Sequence, residues 1–271
     1  MSTFSKELIE RSGYLDETFP AVYDRFRPAP SPEVFDVLTT VAGTARPQLV
    51  VDLGSGTGLS TRAWAQHAEE VVGVEANPWM VAQARASTSE PNVCYVEAFA
   101  ADTGRPSASA DVVTCFQAFH WMEPRPVLAE ANRILRPRGV FAAVDYDVPP
   151  FVEPEVDEAF RAHFAARRAA RQRLAIEAGA ARWPKDTHVE RIAESGDFRF
   201  VRELVAHGRW ELDLERFIGL AESIGGPRAI FGDAAPEVGE TFERLRETAQ
   251  RVLGHETWPA VLAFRLRIGV K

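Results

Sequence analysis

Val50-Val51-Asp52-Leu53-Gly54-Ser55-Gly56-Thr57-Gly58-Leu59-Ser60 is the stretch on which the reading of this chain turns. The apolar run Leu49 to Leu53 predicts a buried parallel strand, and Leu59 to Ala68 has helical spacing. Between them, glycines at alternate positions turn the chain tightly. With no Cβ at Gly54, Gly56 or Gly58, the backbone can approach a ligand, and the helix start that follows offers unpaired N–H groups. Strand, glycine loop and helix start together predict a binding loop at the edge of an α/β sheet.

Two cofactor classes use such a loop. Dinucleotide enzymes usually carry G-x-G-x-x-G, whereas Gly54, Gly56 and Gly58 are spaced G-x-G-x-G with Asp52 just ahead. A carboxylate there is awkward for a pyrophosphate and suits a ligand bearing an ammonium and a sulfonium, because opposite charges attract at close range. The second apolar run, Val71 to Val74, ends in Glu75, 21 residues after Gly54. An acidic residue at the tip of the second strand is placed to accept hydrogen bonds from ribose hydroxyls, which both classes require.

Asp52 to Gly58 and Gly73-Val-Glu-Ala-Asn-Pro-Trp-Met80 resemble motif I and the acidic strand that follows it in class I S-adenosylmethionine-dependent methyltransferases. Asp111-Val-Val-Thr-Cys-Phe-Gln-Ala-Phe-His-Trp-Met122 and Leu135-Arg-Pro-Arg-Gly-Val-Phe141 extend the resemblance to the type 11 small-molecule group, including relatives of trans-aconitate methyltransferase. It covers Tyr23 to Asp147 well and thins beyond. It implies a Rossmann-like, doubly wound α/β fold. The seven-stranded sheet would be mostly parallel, with an antiparallel closing hairpin and a helical cap. It also implies S-adenosylmethionine as cofactor, held by Asp52, Gly54, Ser55, Gly56, Gly58, Glu75, Ala76 and Gln117. Tyr23 and Arg27 match a Tyr-x-x-x-Arg-Pro segment that covers the methionine end, and Met80 occupies a position that packs on adenine. Arg27 could pair with the cofactor carboxylate through two parallel donors; a surface-packed capping arm is the other reading of that segment. Where relatives carry a polar residue, Ala and Glu, this chain has Phe99, Ala100 and Ala101, which leaves adenine to the backbone of Ala100 or Ala101, or to Asp102.

Length and composition bound the rest. A chain of 271 residues with 46% apolar content can bury a large core as one methyltransferase domain over 1–271, with a covering arm at 1–32 and cap or lid segments at 151–197 and 213–255. A net charge of −8 argues against a general phosphate-backbone binder, so no nucleic-acid partner is expected. No run approaches the ~20 apolar residues of a membrane span and the N-terminus lacks a leader pattern, so a cytoplasmic protein with no membrane partner is expected. Cys94 and Cys115 sit in apolar strand-like runs and read as reduced core residues; no metal site is expected.

Weak helical spacing at Phe4 to Leu15 precedes the arm, and helices are expected at Ser31 to Gly43, after Asn77-Pro78, at Pro126 to Leu135, Glu155 to Arg182, Glu215 to Ser223 and Pro236 to Leu253. Gly225-Gly226-Pro227 joins the last two. Strands are expected at Val93 to Val96, Asp111 to Phe116, Val140 to Tyr146, Phe198 to Leu212 and Ala260 to Val270, with a Pro137-Arg138-Gly139 turn ahead of the fifth. The arginines of Glu155 to Arg182 read as a solvated face. Ligands bind beyond the carboxyl ends of strands in such sheets, which puts the loop after Phe116 where methyl donor and acceptor meet. His120 is the candidate catalytic base, with a structural histidine as the other reading. Phe119, Trp121 and Tyr146 are candidate substrate walls. The expected function is methyl transfer to a small-molecule acceptor by in-line displacement. The alternatives are a nicotinamide-dependent reductase, or a non-catalytic S-adenosylmethionine-binding partner protein, because fold does not entail catalysis.

Overall fold

Parallel strands buried on both faces need apolar side chains pointing both ways, and β1 (Leu49–Leu53) is buried at every position. Val50 points to the face covered by α2 (Pro32–Ala42), beside Val34, Phe35 and Leu38. Val51 points to the other face, with Leu128, Ala131 and Ile134 of α5 (Pro124–Ile134). Helices on both faces make the sheet doubly wound. These positions come from a computed structural model that describes residues 19–175, 183–224 and 231–271. The readings at Phe4 to Leu15, at the end of the arginine-rich segment and at Gly225-Gly226-Pro227 lie outside the described residues.

The remaining parallel strands are β2 (Glu70–Glu75), β3 (Val93–Glu97), β4 (Ala110–Phe116) and β5 (Leu135–Tyr146). β6 (Phe200–Leu212) and β7 (Trp258–Val270) close the sheet as an antiparallel hairpin, in the order β3-β2-β1-β4-β5-β7-β6. This is the expected Rossmann-like seven-stranded sheet. The order reverses between β1 and β4, and the carboxyl ends there open onto the same side as the glycine loop.

Local details depart from the sequence reading where packing overrides pattern. The helix after the glycine loop, α3, spans only Leu59–Ala63 before tightening into a 3₁₀ turn at Trp64–Gln66. Helix α5 starts two residues early, at Pro124, which suits a first-turn proline. The expected turn at Pro137-Arg138-Gly139 is instead a bulge inside β5: the register jumps from Ala110↔Leu135 to Val112↔Val140, and Arg138 takes φ 69°. Gly139 is required there, since a β-carbon would lie 2.9 Å from the Arg136 carbonyl oxygen. Cys94, expected in the core, is exposed on edge strand β3, while Cys115 is buried.

Beyond the sheet, α6 (Pro154–Arg173), α8 (Leu214–Ser223) and α9 (Pro236–Leu253) share an apolar core of Val156, Phe160, Phe217, Phe242 and Leu245. Leu212 of β6 and Ala260 of β7 belong to the same core, so the last two strands run from sheet into cap. α1 (Phe19–Phe26) docks on α8, where Phe26 lies over Gly219; a β-carbon at Gly219 would fall 2.3 Å from that ring. α4 (Pro78–Ala86) follows β2 and is capped by Asn77, whose side chain accepts from the N–H groups of Trp79 and Met80. α7 (His188–Glu194) packs below the sheet, with His188 fully buried against Phe119.

Two outcomes follow from this packing. Gly219→Ala should lower the urea midpoint, costing about 1–3 kcal/mol through overpacking, and expose residues 19–26 to protease; an unchanged midpoint would refute the docking. Burial holds the His188 imidazole down at about 4 from 6.5, against Asp145, which favours the charged form; Arg267, Arg191 and Lys185 add to the lowering. The folded protein therefore takes up this proton later than the unfolded chain, and stability present above pH 6.5 is lost as pH falls toward 4. Up to about 3 kcal/mol is at stake. Urea unfolding at pH 7 and 4.5 should show a smaller difference for His188→Gln than for wild type.

Candidate active site at the carboxyl ends of β1 and β4

Asp52 ends β1 fully buried, and a carboxylate in that position must find donors. Oδ2 accepts from Ser60 Oγ and Thr61 Oγ1, both at 2.7 Å, and Oδ1 accepts from Thr114 Oγ1 at 2.9 Å. Burial raises its pKa, partly offset by these three hydroxyls. The direct ligand contact expected of Asp52 is thereby corrected. Its charge is turned inward, tying the first turn of α3 and strand β4 to β1.

The glycine loop is then shaped from both sides. Gly54 and Ser55 donate to the Val74 carbonyl at 2.8 and 3.1 Å, pinning the loop to β2. A β-carbon on Gly54 would lie 2.5 Å from Met122 Cε and 2.7 Å from Ala118 Cβ; one on Gly58 would lie 2.3 Å from Tyr95 Oη. These two glycines make room for protein. Gly56 differs: φ is 54°, yet no protein atom lies within 4 Å of where its β-carbon would be. Its open side belongs to a cavity of about 520 Å³, within the ~300–1,000 Å³ usual for small-molecule sites.

Glu75 faces Gly56 across the cavity mouth. Oε2 accepts the Gly56 N–H at 2.9 Å and Oε1 the Asn77 N–H at 2.8 Å. Burial raises its pKa against the lowering effect of these backbone donors. Next to it the wall is apolar, formed by Ala76, Met80, Ala98, Phe99, Ala100 and Ala101. Asp102 is not on that wall; its N–H donates to the Phe99 carbonyl. The turn is locked by Glu130, which accepts from the N–H and hydroxyl of Thr103 and pairs with Arg133, holding its own carboxyl down at about 2.

The opposite end is built from the arm and from β4 and β5. Tyr23, Arg27, Pro28, Phe116, Gln117, Trp121, Tyr146 and Phe264 line it. Arg27 stacks on Tyr23 with 4.8 Å from guanidinium to ring centre, and donates to Tyr146 Oη at 2.8 Å and to Ser223 Oγ at 3.0 Å. Arg62 reaches from α3 to Asp24 of the arm at 2.7 Å. Arm, glycine loop and cap are thus fastened to one another around the cavity.

Of the residues singled out from sequence, Tyr23, Arg27, Gly54, Ser55, Gly56, Glu75, Ala76, Met80, Ala100, Ala101, Gln117, Trp121 and Tyr146 share this one cavity wall. Asp52, Gly58, Phe119 and His120 do not. Phe119 is 1% exposed and packs edge-on against Phe141, which removes it as a substrate wall. His120 sits behind the wall, its Nδ1 3.8 Å from Asp145 Oδ1 and its carbonyl accepting the Trp183 N–H at 2.8 Å. Asp145 is a buried hub that also pairs with Lys185 Nζ at 2.7 Å and Arg267 Nη1 at 2.9 Å. Sequence reasoning missed Asn77, whose Asn-Pro context was a legible cap, and Phe264 and Lys185, for which nothing local gave a signal. Among the described residues, no group of His, Cys, Asp and Glu side chains could hold a metal ion, and no helix is long and apolar enough to cross a membrane.

Comparison with known proteins agrees with this geometry. Residues 51–143 match the family model for the type 11 methyltransferase domain. An uncharacterized methyltransferase of Mycobacterium tuberculosis is 34% identical over 117 residues, covering 43% of this chain and 46% of the relative. A Saccharomyces cerevisiae protein named as a probable S-adenosylmethionine-dependent methyltransferase is 29% identical over 151 residues, covering 53% and 51%. The chain spans about half the length of the curated relatives it matches. The solved structure of a type II methyltransferase candidate from Anaeromyxobacter dehalogenans superposes with a TM-score of 0.64 at 26% identity, over 90% of this chain and 98% of that one. Residues 51–143 therefore carry the match to the type 11 methyltransferase domain, and they form the part of the sheet and cavity wall that includes the glycine loop, Glu75 and the loop after β4.

Proposed function

We propose that this protein transfers the methyl group of S-adenosylmethionine to a small-molecule acceptor by in-line displacement. The observation that carries the reading is one continuous cavity running from Gly56 and Glu75 to the wall of Tyr23, Phe116, Tyr146 and Phe264. Gly56 supports it further, because it lines the cavity and its missing side chain leaves that part of the wall open to a ligand. When bound, S-adenosylmethionine supplies a methyl group already activated by a sulfonium charge.

What remains for the chain's residues is placement. Gly54, Gly56 and Glu75 hold the nucleoside end, Glu75 accepting from ribose hydroxyls. Met80 and the alanines beside Phe99 bound the purine. Tyr23 and Arg27 close the other end, and the aromatic wall excludes water and offers ring faces that favour a cation. The arm, through Tyr23, Arg27, Pro28 and Pro30, and Phe264 of β7 enclose the acceptor side, which favours a small molecule over a macromolecule. An acceptor lone pair held about 3–3.5 Å from the methyl carbon, in line with the departing sulfur, needs little else. His120 lies behind the wall, so a base role for it would be exerted through a bound water, and the reading does not depend on it. The kinship with relatives of trans-aconitate methyltransferase is part of the same proposal and rests on the sequence motifs.

The reading is tested by titrating the protein with S-adenosylmethionine, S-adenosylhomocysteine and NADPH, then screening an acceptor library for release of S-adenosylhomocysteine. Binding of NADPH alone would return the protein to the reductases, and cofactor binding without turnover on any acceptor would favour a partner protein. Glu75→Ala should weaken S-adenosylhomocysteine binding by about ten- to a hundredfold, through lost charge-assisted hydrogen bonds; an unchanged dissociation constant would remove Glu75 from the site. Gly56→Val should abolish binding while costing only a modest amount of stability for its left-handed φ, since the protein itself has room for the side chain. Wild-type affinity in the folded variant would sink the loop assignment.

A further inference from the structure

Gln117 is the one amide side chain on the acceptor end of the cavity wall, and both of its ends are held. Its backbone takes φ 50° at the end of β4, fixed by an N–H donated to the Val144 carbonyl at 2.8 Å. Its side-chain amide meets the Lys185 ammonium on one side and the Tyr146 carbonyl, at 3.3 Å, on the other. An ammonium can only donate and a carbonyl can only accept, so the two partners choose the same orientation of the amide independently. Oε1 is turned to Lys185, and Nε2 to Tyr146. One Nε2 hydrogen serves that carbonyl, and the second is left for the cavity that Gln117 lines.

Lys185 has no place on the cavity wall, and its own position is firmly set. Its Nζ lies 2.7 Å from Asp145 Oδ1, and Asp145 is held at Oδ2 by Arg267 Nη1 at 2.9 Å, while Arg267 Nε binds Glu203 at 2.8 Å. The strand of chain carrying it is anchored by the Trp183 N–H on the His120 carbonyl and by Arg191, which stacks on Trp183 and donates to the Pro184 carbonyl. The same wall presents Tyr146, whose hydroxyl oxygen accepts from Arg27 and so turns its hydrogen elsewhere. The donors on this stretch of wall, the Gln117 amide and the Arg27 guanidinium, make it the place for an anionic oxygen, as Glu75 makes the other end the place for hydroxyl donors.

We propose that Lys185 is a positioning residue that fixes the Gln117 amide with its N–H toward the cavity, where it donates to the carboxylate of the cofactor's methionine moiety. This role presupposes that S-adenosylmethionine occupies the cavity as read above. Lys185 itself touches no ligand.

Calorimetry with S-adenosylhomocysteine and with its decarboxylated analogue tests it on the full chain, using wild type, Lys185→Met, Lys185→Arg, Gln117→Met and the Lys185→Met/Gln117→Met double variant. Lys185→Met should weaken S-adenosylhomocysteine binding about ten- to a hundredfold, the range of one hydrogen bond to a charged group. Lys185→Arg, also a pure donor, should restore it to within about threefold. In the Gln117→Met background, Lys185→Met should change affinity by less than about twofold, and the decarboxylated analogue should feel none of the substitutions. The proposal is overturned if Lys185→Met binds like wild type, or if its loss persists undiminished beside Gln117→Met, since Lys185 would then act only through Asp145. An equal loss for the decarboxylated analogue overturns the carboxylate as target. Should Lys185→Met fail to fold, Gln117→Met and Lys185→Arg decide: unchanged affinity in the first, or a loss above tenfold in the second, refutes the role. A wild-type protein that binds neither compound overturns the methyltransferase reading instead.

Discussion

A carboxylate buried at the end of a central strand has to be answered by its neighbours, and around Asp52 three hydroxyls do so. Ser60 and Thr61 bring the first turn of α3 down onto β1, and Thr114 ties in β4 from the other side. Unmet, such a charge would cost several kcal/mol; met this way, it converts the switch point of the sheet into one rigid corner. The glycine loop hangs from that corner, and its path decides where Gly56 opens and where the Gly56 N–H meets Glu75. The glycine side of the nucleoside end is placed relative to this one desolvated group.

The acceptor end is organised by a second buried acid, met here by cations rather than hydroxyls. Asp145, one residue before Tyr146, collects Lys185 and Arg267, with His120 and His188 within 4 Å. One buried acid so surrounded keeps β5, β7 and the chain around residue 185 in register without spending any of its own contacts on the cavity. The two ends thus share a plan: a buried carboxylate fixes the scaffold, and neutral or backbone groups held by that scaffold face the ligand space.

How much of this could be read from residues alone depends on whether a feature is local. The glycine loop, Glu75 and the strand and helix order are carried by contiguous patterns, and the structure places them as read. Asp52 was legible as important but misread in direction: Ser60 and Thr61, one helical turn past the last glycine, were the sign that the charge is satisfied internally. The turn at Pro137-Arg138-Gly139 looks like a helix stop because proline and glycine punctuate, yet pairing with β4 on either side of it absorbs it as a bulge. Cys94 looked buried because β3 alternates weakly, and an edge strand leaves one side to solvent. Phe264, Ser223 and Lys185 had no signature, since they reach the site or its support from elements far along the chain from the nearest motif and meet it only after the sheet is closed.

The hairpin of β6 and β7 pairs without interruption from Phe200↔Val270 to Leu212↔Trp258. Its first half lies beside β5, and its second half carries Leu212 and Ala260 into the core of the cap. Mechanically it is a beam clamped at one end and loaded at the other, with a continuous ladder where a pivot would have to be. The cap therefore cannot swing about its strand roots without breaking backbone hydrogen bonds, whereas the arm segment that lines the cavity at Tyr23 and Arg27 is held by side-chain contacts, Asp24 to Arg62 and Arg27 to Ser223.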